Sequence, residues 1–251
     1  MRLPLALFTA AATAAVAASA SAQLSSVVGP DVAPIGCPVS ISISNDSAAS
    51  TFTGPCPYQV RNAHGIPIFS PICPLLALPL DPGKTFSTTW DQIDDNFVQV
   101  PAGTYTIDVF LVGAPIQHHT IMVGGAVSGV APLGVPKIGT TRHYALCSKS
   151  DPGGFYVMLA SGSSLVGIPT CGGTIPLDPD AILTASLSDP TVFVSTAGNL
   201  DAAGMSSAPA LAIPSLPSLV GVNVNLAMLV LDLVGACPFK SISAPMHIQI
   251  S

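Results

Sequence analysis

Alternation with a period of two dominates the chain. Val39-Ser40-Ile41-Ser42-Ile43-Ser44 sets apolar and polar side chains in strict turn, as a strand with one buried face does. Thr104-Tyr105-Thr106-Ile107-Asp108-Val109-Phe110 repeats the pattern. Between them, short strands are expected at 58–61 and 66–69 around Ala63-His64-Gly65, and another at 85–90 after the tight turn Leu80-Asp81-Pro82-Gly83. A strand at 117–123 closes this unit. The later chain follows the same grammar, with strands expected at 143–147, 155–160, 164–168, 182–187, 192–195, 208–213, 220–231 and 246–250. Asp151-Pro152-Gly153-Gly154 is expected to join the first two of these as a hairpin.

Residues 126–138 are mostly Gly, Pro and small apolar side chains with one charge, and read as a linker. The chain therefore divides into a first unit at 35–125 and a second antiparallel β domain at 139–251. The apolar stretch 216–236 is read as a long core strand. Pro217, Asn223, Asn225 and Asp232 argue against a membrane span, and Asn223 and Asn225, two apart, share one face of a strand.

Composition strengthens the β reading. The 13 acidic residues are all Asp, Lys is scarce, and 25 Pro and 22 Gly supply turns, so good helix formers for a solvated face are lacking. High hydrophobicity with only 8% charged residues is the reverse of a disordered chain. The fold class expected is all-β, with two β-sandwich-like domains. A net charge of −6 with seven Lys and Arg offers nothing to neutralise phosphates, which excludes nucleic acid and polybasic membrane binding.

The first 22 residues read as a signal peptide. Arg2 gives a positive start, 3–18 is mostly apolar, and Ala20-Ser21-Ala22 precedes Gln23 in the pattern a signal peptidase cleaves. The expected location is secreted, cell-surface or periplasmic, with no membrane span after leader removal.

Leu80-Asp81-Pro82-Gly83, then Trp90-Asp91-Gln92-Ile93-Asp94, then Val100-Pro101-Ala102-Gly103-Thr104-Tyr105 resembles the closing half of an immunoglobulin-like domain. It is similar to the BsuPI-type proteinase-inhibitor domain, over about 80 residues, and departs from it at Asn96 and Phe97, where that family has Gly. The resemblance implies an immunoglobulin-like first domain, with Trp90 in its core, and raises proteinase inhibition as an alternative function. Ile175-Pro176-Leu177-Asp178-Pro179-Asp180, Gly198-Asn199-Leu200-Asp201-Ala202-Ala203-Gly204, Ile213-Pro214-Ser215-Leu216-Pro217 and 243–250 resemble a C-terminal β domain of secreted planctomycete-type proteins, which implies export and β structure only.

Six Cys in an exported chain point to disulfides. Cys56 and Cys73 are equidistant from the turn at 63–66, so a hairpin brings them together at its open end. Cys147 and Cys171 are the next best pair, leaving Cys37 and Cys237 unassigned. Each half holds three Cys, so either one bridge crosses between the halves or two thiols stay free. Asp91, Asp94, Asp95 and Asn96 form an oxygen-rich cluster that Ca²⁺ would suit, but the spacing lacks an EF-hand pattern, and a solvated turn is preferred. His118 and His119 are adjacent on a strand and point to opposite faces, while His64, His143 and His247 lie apart. Gly83-Lys84-Thr85 lacks the upstream Gly of a phosphate loop, and Gly162-Ser163-Ser164-Leu165-Val166 lacks the second Gly of a nucleophile elbow. Asp46, Asp81, Asp151 and Asp178 are placed in turns, where water keeps a carboxylate ordinary. The function expected is a non-catalytic extracellular or surface module that binds an unknown protein or surface polymer. No catalytic residue, cofactor or metal is expected; the alternatives are a proteinase inhibitor and an uncharacterised secreted hydrolase.

Overall fold

The computed structural model describes residues 24–73 and 77–251. The leader expected over 1–22 lies outside them. The described residues are all-β apart from one short helix and one 3-10 turn.

The first sandwich opposes two sheets. One orders Leu24–Gly29, Val39–Asn45 and Thr85–Trp90, all antiparallel. The other orders Val32–Ala33, Gln117–Val123, Gly103–Leu111, Thr51–Asn62 and Pro67–Phe69, with Val32–Ala33 parallel to its neighbour. The first strand thus serves one sheet and, after Pro30, the other. This is the strand order of an immunoglobulin-like domain. Its start is Leu24, ahead of the 35 expected from the sequence, because the edge strands of both sheets come from 24–33.

Trp90 is fully buried, donates Nε1–H to Ile93 O at 2.8 Å, and meets Tyr105 edge to face at 5.6 Å between ring centroids. Tyr105 donates its hydroxyl to Pro101 O at 2.7 Å, which fixes the corner leading into Gly103–Leu111. The Val100-Pro101…Tyr105 motif therefore acts as a tyrosine corner. Val39–Asn45, expected to wet one face, is buried on both. Its serines survive burial by pairing: Ser42 Oγ lies 3.0 Å from Ser87 Oγ, Ser44 Oγ 2.7 Å from Thr85 Oγ1, and Ser40 donates to Pro132 O.

The second sandwich sets Gly129–Leu133, Thr141–Cys147, Ala210–Ala212 and Phe193–Val194 against Ala197–Asn199, Phe155–Ser161, Asn223–Leu231 and Phe239–Ile242. Tyr144, Leu146, Tyr156, Met158, Leu226 and Met228 fill the space between. The strands flanking Asp151-Pro152-Gly153-Gly154 belong to different sheets, so the turn crosses the sandwich and does not close a hairpin. A second apolar layer, Leu159, Ala227 and Leu229, covers the outer face under a helix and the hairpin Ile168–Thr170/Gly173–Ile175.

That helix, Ala181–Ser188, replaces the strand expected at 182–187. Asp180 decides it: its Oδ1 accepts from Leu183 N at 2.8 Å, capping the first turn, and Leu183 is buried on the outer face of the sheet. The strand expected at 164–168 is an irregular loop that enters its pairing only at Ile168.

Residues 126–138, read as a linker, contain the strand Gly129–Leu133, which pairs with Thr141–Cys147. The missing alternation is explained by its burial: Gly129, Val130, Ala131 and Pro132 are all buried. The two halves meet closely here. Cys37 is bridged to Cys147, with Cα atoms 5.9 Å apart. A Cβ on Gly129 would stand 2.8 Å from Pro34 Cδ, and one on Gly29 would stand 2.9 Å from Pro132 Cδ. Gln92, fully buried with φ of 58°, donates to Pro34 O at 2.8 Å and Cys37 O at 2.7 Å and accepts from Gly36 N at 2.8 Å. It pins the loop that carries Cys37. Lys137 pairs with Asp46 across the same junction.

Candidate functional site

The remaining bridges are Cys56–Cys73, with Cα atoms 4.9 Å apart, and Cys171–Cys237, 5.7 Å apart. The expected Cys147–Cys171 pair does not form. Equidistance from a turn locates partners across one hairpin, but it carries no information on strands brought together by the sandwich.

The Asp91, Asp94, Asp95, Asn96 segment uses its oxygens locally. Asp94 Oδ1 accepts from Val98 N and Asn96 N, each at 2.9 Å, and these backbone donors, Val98 first, hold its carboxyl below the usual range. Asp95 Oδ1 accepts from Ser70 N at 2.9 Å. Asp91 stands near Tyr58, whose hydroxyl pKa is raised by burial and then by that charge. Among the described residues, no group of three or more His, Cys, Asp or Glu is placed to hold a metal ion.

The adjacent histidines diverge. His118 Nδ1 lies 2.7 Å from Asp108 Oδ1, and Arg61 Nε donates to Asp108 Oδ2 at 2.6 Å. Burial pushes the Asp108 pKa up, but the His118 and Arg61 hydrogen bonds outweigh it and the net shift is down. His119 turns inward, its Nε2 2.7 Å from Ser26 Oγ, and burial lowers its pKa against the opposing pull of Asp31. Ser26 also contacts Gln117 Oε1, so the pair closes the sandwich edge; no described hydrogen bond joins His119 to Asp31. His64 and His143 are exposed, and His247 pairs with the buried Asn225.

Two aspartates expected in ordinary turns are far from ordinary. Asp151 is 3% exposed and accepts from Ser148 Oγ at 2.7 Å, Ser150 Oγ and Ser241 Oγ at 3.0 Å, and Lys240 Nζ at 3.0 Å. Burial raises its pKa, and these partners more than reverse the effect. Asp178 gathers Val166 N at 2.7 Å, Gly167 N at 2.8 Å, Leu165 N at 3.0 Å and the Ser163 hydroxyl, and the Gly167 and Ser163 donors lead in driving its pKa far down. In the elbow-like stretch, Ser163, which precedes the nucleophile position Ser164, is therefore a donor to a structural carboxylate. Asp178 freezes the 163–167 loop, which holds Leu165 90% and Val166 83% exposed.

A cavity of about 320 Å³ opens in the second sandwich between the Ala181–Ser188 helix and the sheet edges. Ile182, Ala185, Val192, Phe193, Leu219 and Ile250 are among its walls, and every lining residue is apolar. Its size is at the small end of ligand pockets, roughly 300–1,000 Å³. A groove of about 360 Å³ adjoins it, sharing Val192, Ala212, Ile213 and Pro214 and adding Thr140, Thr141, Thr191 and Ser215. The site is not legible in the sequence, because its helix has no clear apolar stripe and its other walls come from four separated segments.

No family model matches the chain, and no curated protein matches it. The chain has partial likenesses to larger solved structures. A β-glucosidase from Listeria innocua in complex with glucose is 14% identical over 41% of this chain and 16% of its own, with a TM-score of 0.28. Red sea bream transglutaminase is 10% identical over 92% and 31%, with a TM-score of 0.33. A Salmonella alpha-2-macroglobulin mutant is 10% identical over 95% and 15%, with a TM-score of 0.30. The chain spans less than a third of each. These likenesses decide nothing about function.

Proposed function

We propose that this chain is an exported, non-catalytic binding module that takes an apolar group into the cavity of its second sandwich. The observation that carries the reading is the lining itself: apolar side chains on every wall, in a cavity open to solvent. An apolar surface left facing water is unfavourable by roughly 25 cal/mol per Å², so a ligand that covers it gains that term. Export is supported by three disulfides, which persist in oxidising compartments. No described helix is long and apolar enough to cross a membrane. The non-catalytic reading is supported by the polar clusters, whose donors and acceptors are engaged in holding strands and loops together.

The test uses residues 23–251 and the neutral apolar fluorophore N-phenyl-1-naphthylamine. Binding with enhanced emission is expected, and Ala185→Trp or Ala212→Phe, each filling the cavity, should abolish it while the far-ultraviolet spectrum is kept. A folded protein that leaves the fluorophore dark, or variants that bind it unchanged, would contradict the reading.

A second reading, proteinase inhibition, is supported by the 163–167 loop, which presents Leu165 rigidly to solvent. Its three N–H groups are held by Asp178, however, and are withdrawn from the backbone pairing that an extended peptide makes along a protease cleft. The binding-module reading is preferred for that reason.

A further inference from the structure

Resting on the cavity as the binding site, we propose that the cavity and the groove beside it hold one ligand: a neutral amphiphile with an unbranched alkyl tail and a polyol head. The tail belongs in the cavity, where no wall residue offers a polar side chain. At about 30 Å³ per methylene, taken as close to a water's share of liquid volume, 320 Å³ accommodates roughly ten carbons.

The head belongs in the groove, which borders the cavity and shares Val192, Ala212, Ile213 and Pro214 with it. The hydrogen-bonding state of its hydroxyls selects the chemistry. Thr140 Oγ1 already donates to Lys137 O at 2.6 Å, and Thr191 Oγ1 already donates to Asp189 Oδ1. Both therefore face a ligand as acceptors, and want a donor. Thr141 and Ser215 carry hydroxyls that can turn either way. A polyol, with donors and acceptors on each oxygen, satisfies all four.

A carboxylate or phosphate head does not. It has no proton to give Thr140 or Thr191, no Lys, Arg or His lines either space, and Lys137 is held by Asp46. Asp189, bonded to Thr191, adds a negative charge beside the groove. An ammonium head has donors and is drawn by that charge, but Asp189 Oδ1 is already taken by Thr191 N and Thr191 Oγ1 and no carboxylate lines the groove, so the head would shed water without a direct carboxylate contact.

The test is displacement of bound N-phenyl-1-naphthylamine by 1-decanoylglycerol, decanoate and decylammonium, all below their micellar concentrations. 1-Decanoylglycerol is expected to displace at a concentration at least about tenfold lower than either charged analogue. Thr140→Val with Thr191→Val, or Ser215→Ala should the double variant not fold, is expected to erase most of that preference while the fluorophore still binds. Equal or stronger displacement by decanoate or decylammonium overturns the head assignment and leaves the cavity reading standing. So does a preference for 1-decanoylglycerol that the hydroxyl variants do not change. Failure of the fluorophore itself to bind overturns the cavity reading and this inference together.

Discussion

Gly129 lies against Pro34 so closely that a Cβ on it would stand 2.8 Å from the ring's Cδ and 3.3 Å from its Cγ. Proline is a rigid neighbour, and Gly29 faces Pro132 in the same way on the other side of the junction, at 2.9 Å. Two glycines thus let the halves of the chain touch backbone to ring. Gly129→Ala or Gly29→Ala is expected to destabilise by about 1–3 kcal/mol through overpacking. Chemical denaturation of each variant measures it; unchanged midpoints would mean the halves do not meet as described.

The bridges differ in the length of chain they close. Cys37–Cys147 spans 110 residues and Cys56–Cys73 spans 17. In the chain-entropy picture, the first stabilises by about 5 kcal/mol and the second by about 3 kcal/mol. Paired Cys→Ser replacement should therefore lower stability more at Cys37 and Cys147 than at Cys56 and Cys73. The melting temperatures of the two double variants decide the order.

Acid should act through Asp108 and Asp151. Both have pKa values lowered in the folded chain, the net result of charged and hydroxyl partners outweighing burial. A lowered folded pKa contributes stability above the unfolded value, about 3.9, and loses it as pH falls through the folded value. Urea midpoints are expected to slip modestly as pH falls below about 6.5, where the unfolded chain takes up a proton that burial disfavours on His119, and to fall further below about pH 4. Asp151→Asn should flatten the fall below about pH 4 and leave the slip near pH 6.5 unchanged; an undiminished fall below about pH 4 in that variant would point to other carboxylates.

Asp178 should govern the 163–167 loop. Asp178→Ala removes the acceptor shared by Leu165 N, Val166 N, Gly167 N and the Ser163 hydroxyl. Limited proteolysis is expected to cut the variant near Leu165 much faster than the parent, with the rest of the chain still resistant. Equal cutting rates would show that the loop is held by other means.

Strands that pack by one face were legible in the sequence. The alternation at 104–110, the run 85–90 and the hairpin around 63–65 all lie in observed strands, and the all-β class follows from them. Elements buried on both faces were harder. Gly129–Leu133 has no polar face, so it reads as a linker, and Ser40, Ser42 and Ser44 look solvated when each has a partner. The helix was hidden because Ala181–Ser188 has no clear apolar stripe and its one signal, the Asp180 cap, sits in a Pro-rich context. Long-range relations were the least legible. The Cys37–Cys147 bridge and the cavity both join segments far apart in the chain, and no local spacing records them.

The central claim is that the second sandwich binds an apolar ligand at one place. Methyl-resolved NMR, with N-phenyl-1-naphthylamine titrated into residues 23–251, addresses it directly. The account expects saturable shifts at Ile182, Val192, Leu219 and Ile250, which line the cavity, and none at Val39, Ile41 or Ile107 in the first core. Shifts that never saturate, that spread over exposed Leu165 and Val166, or that spare the cavity methyls would contradict it.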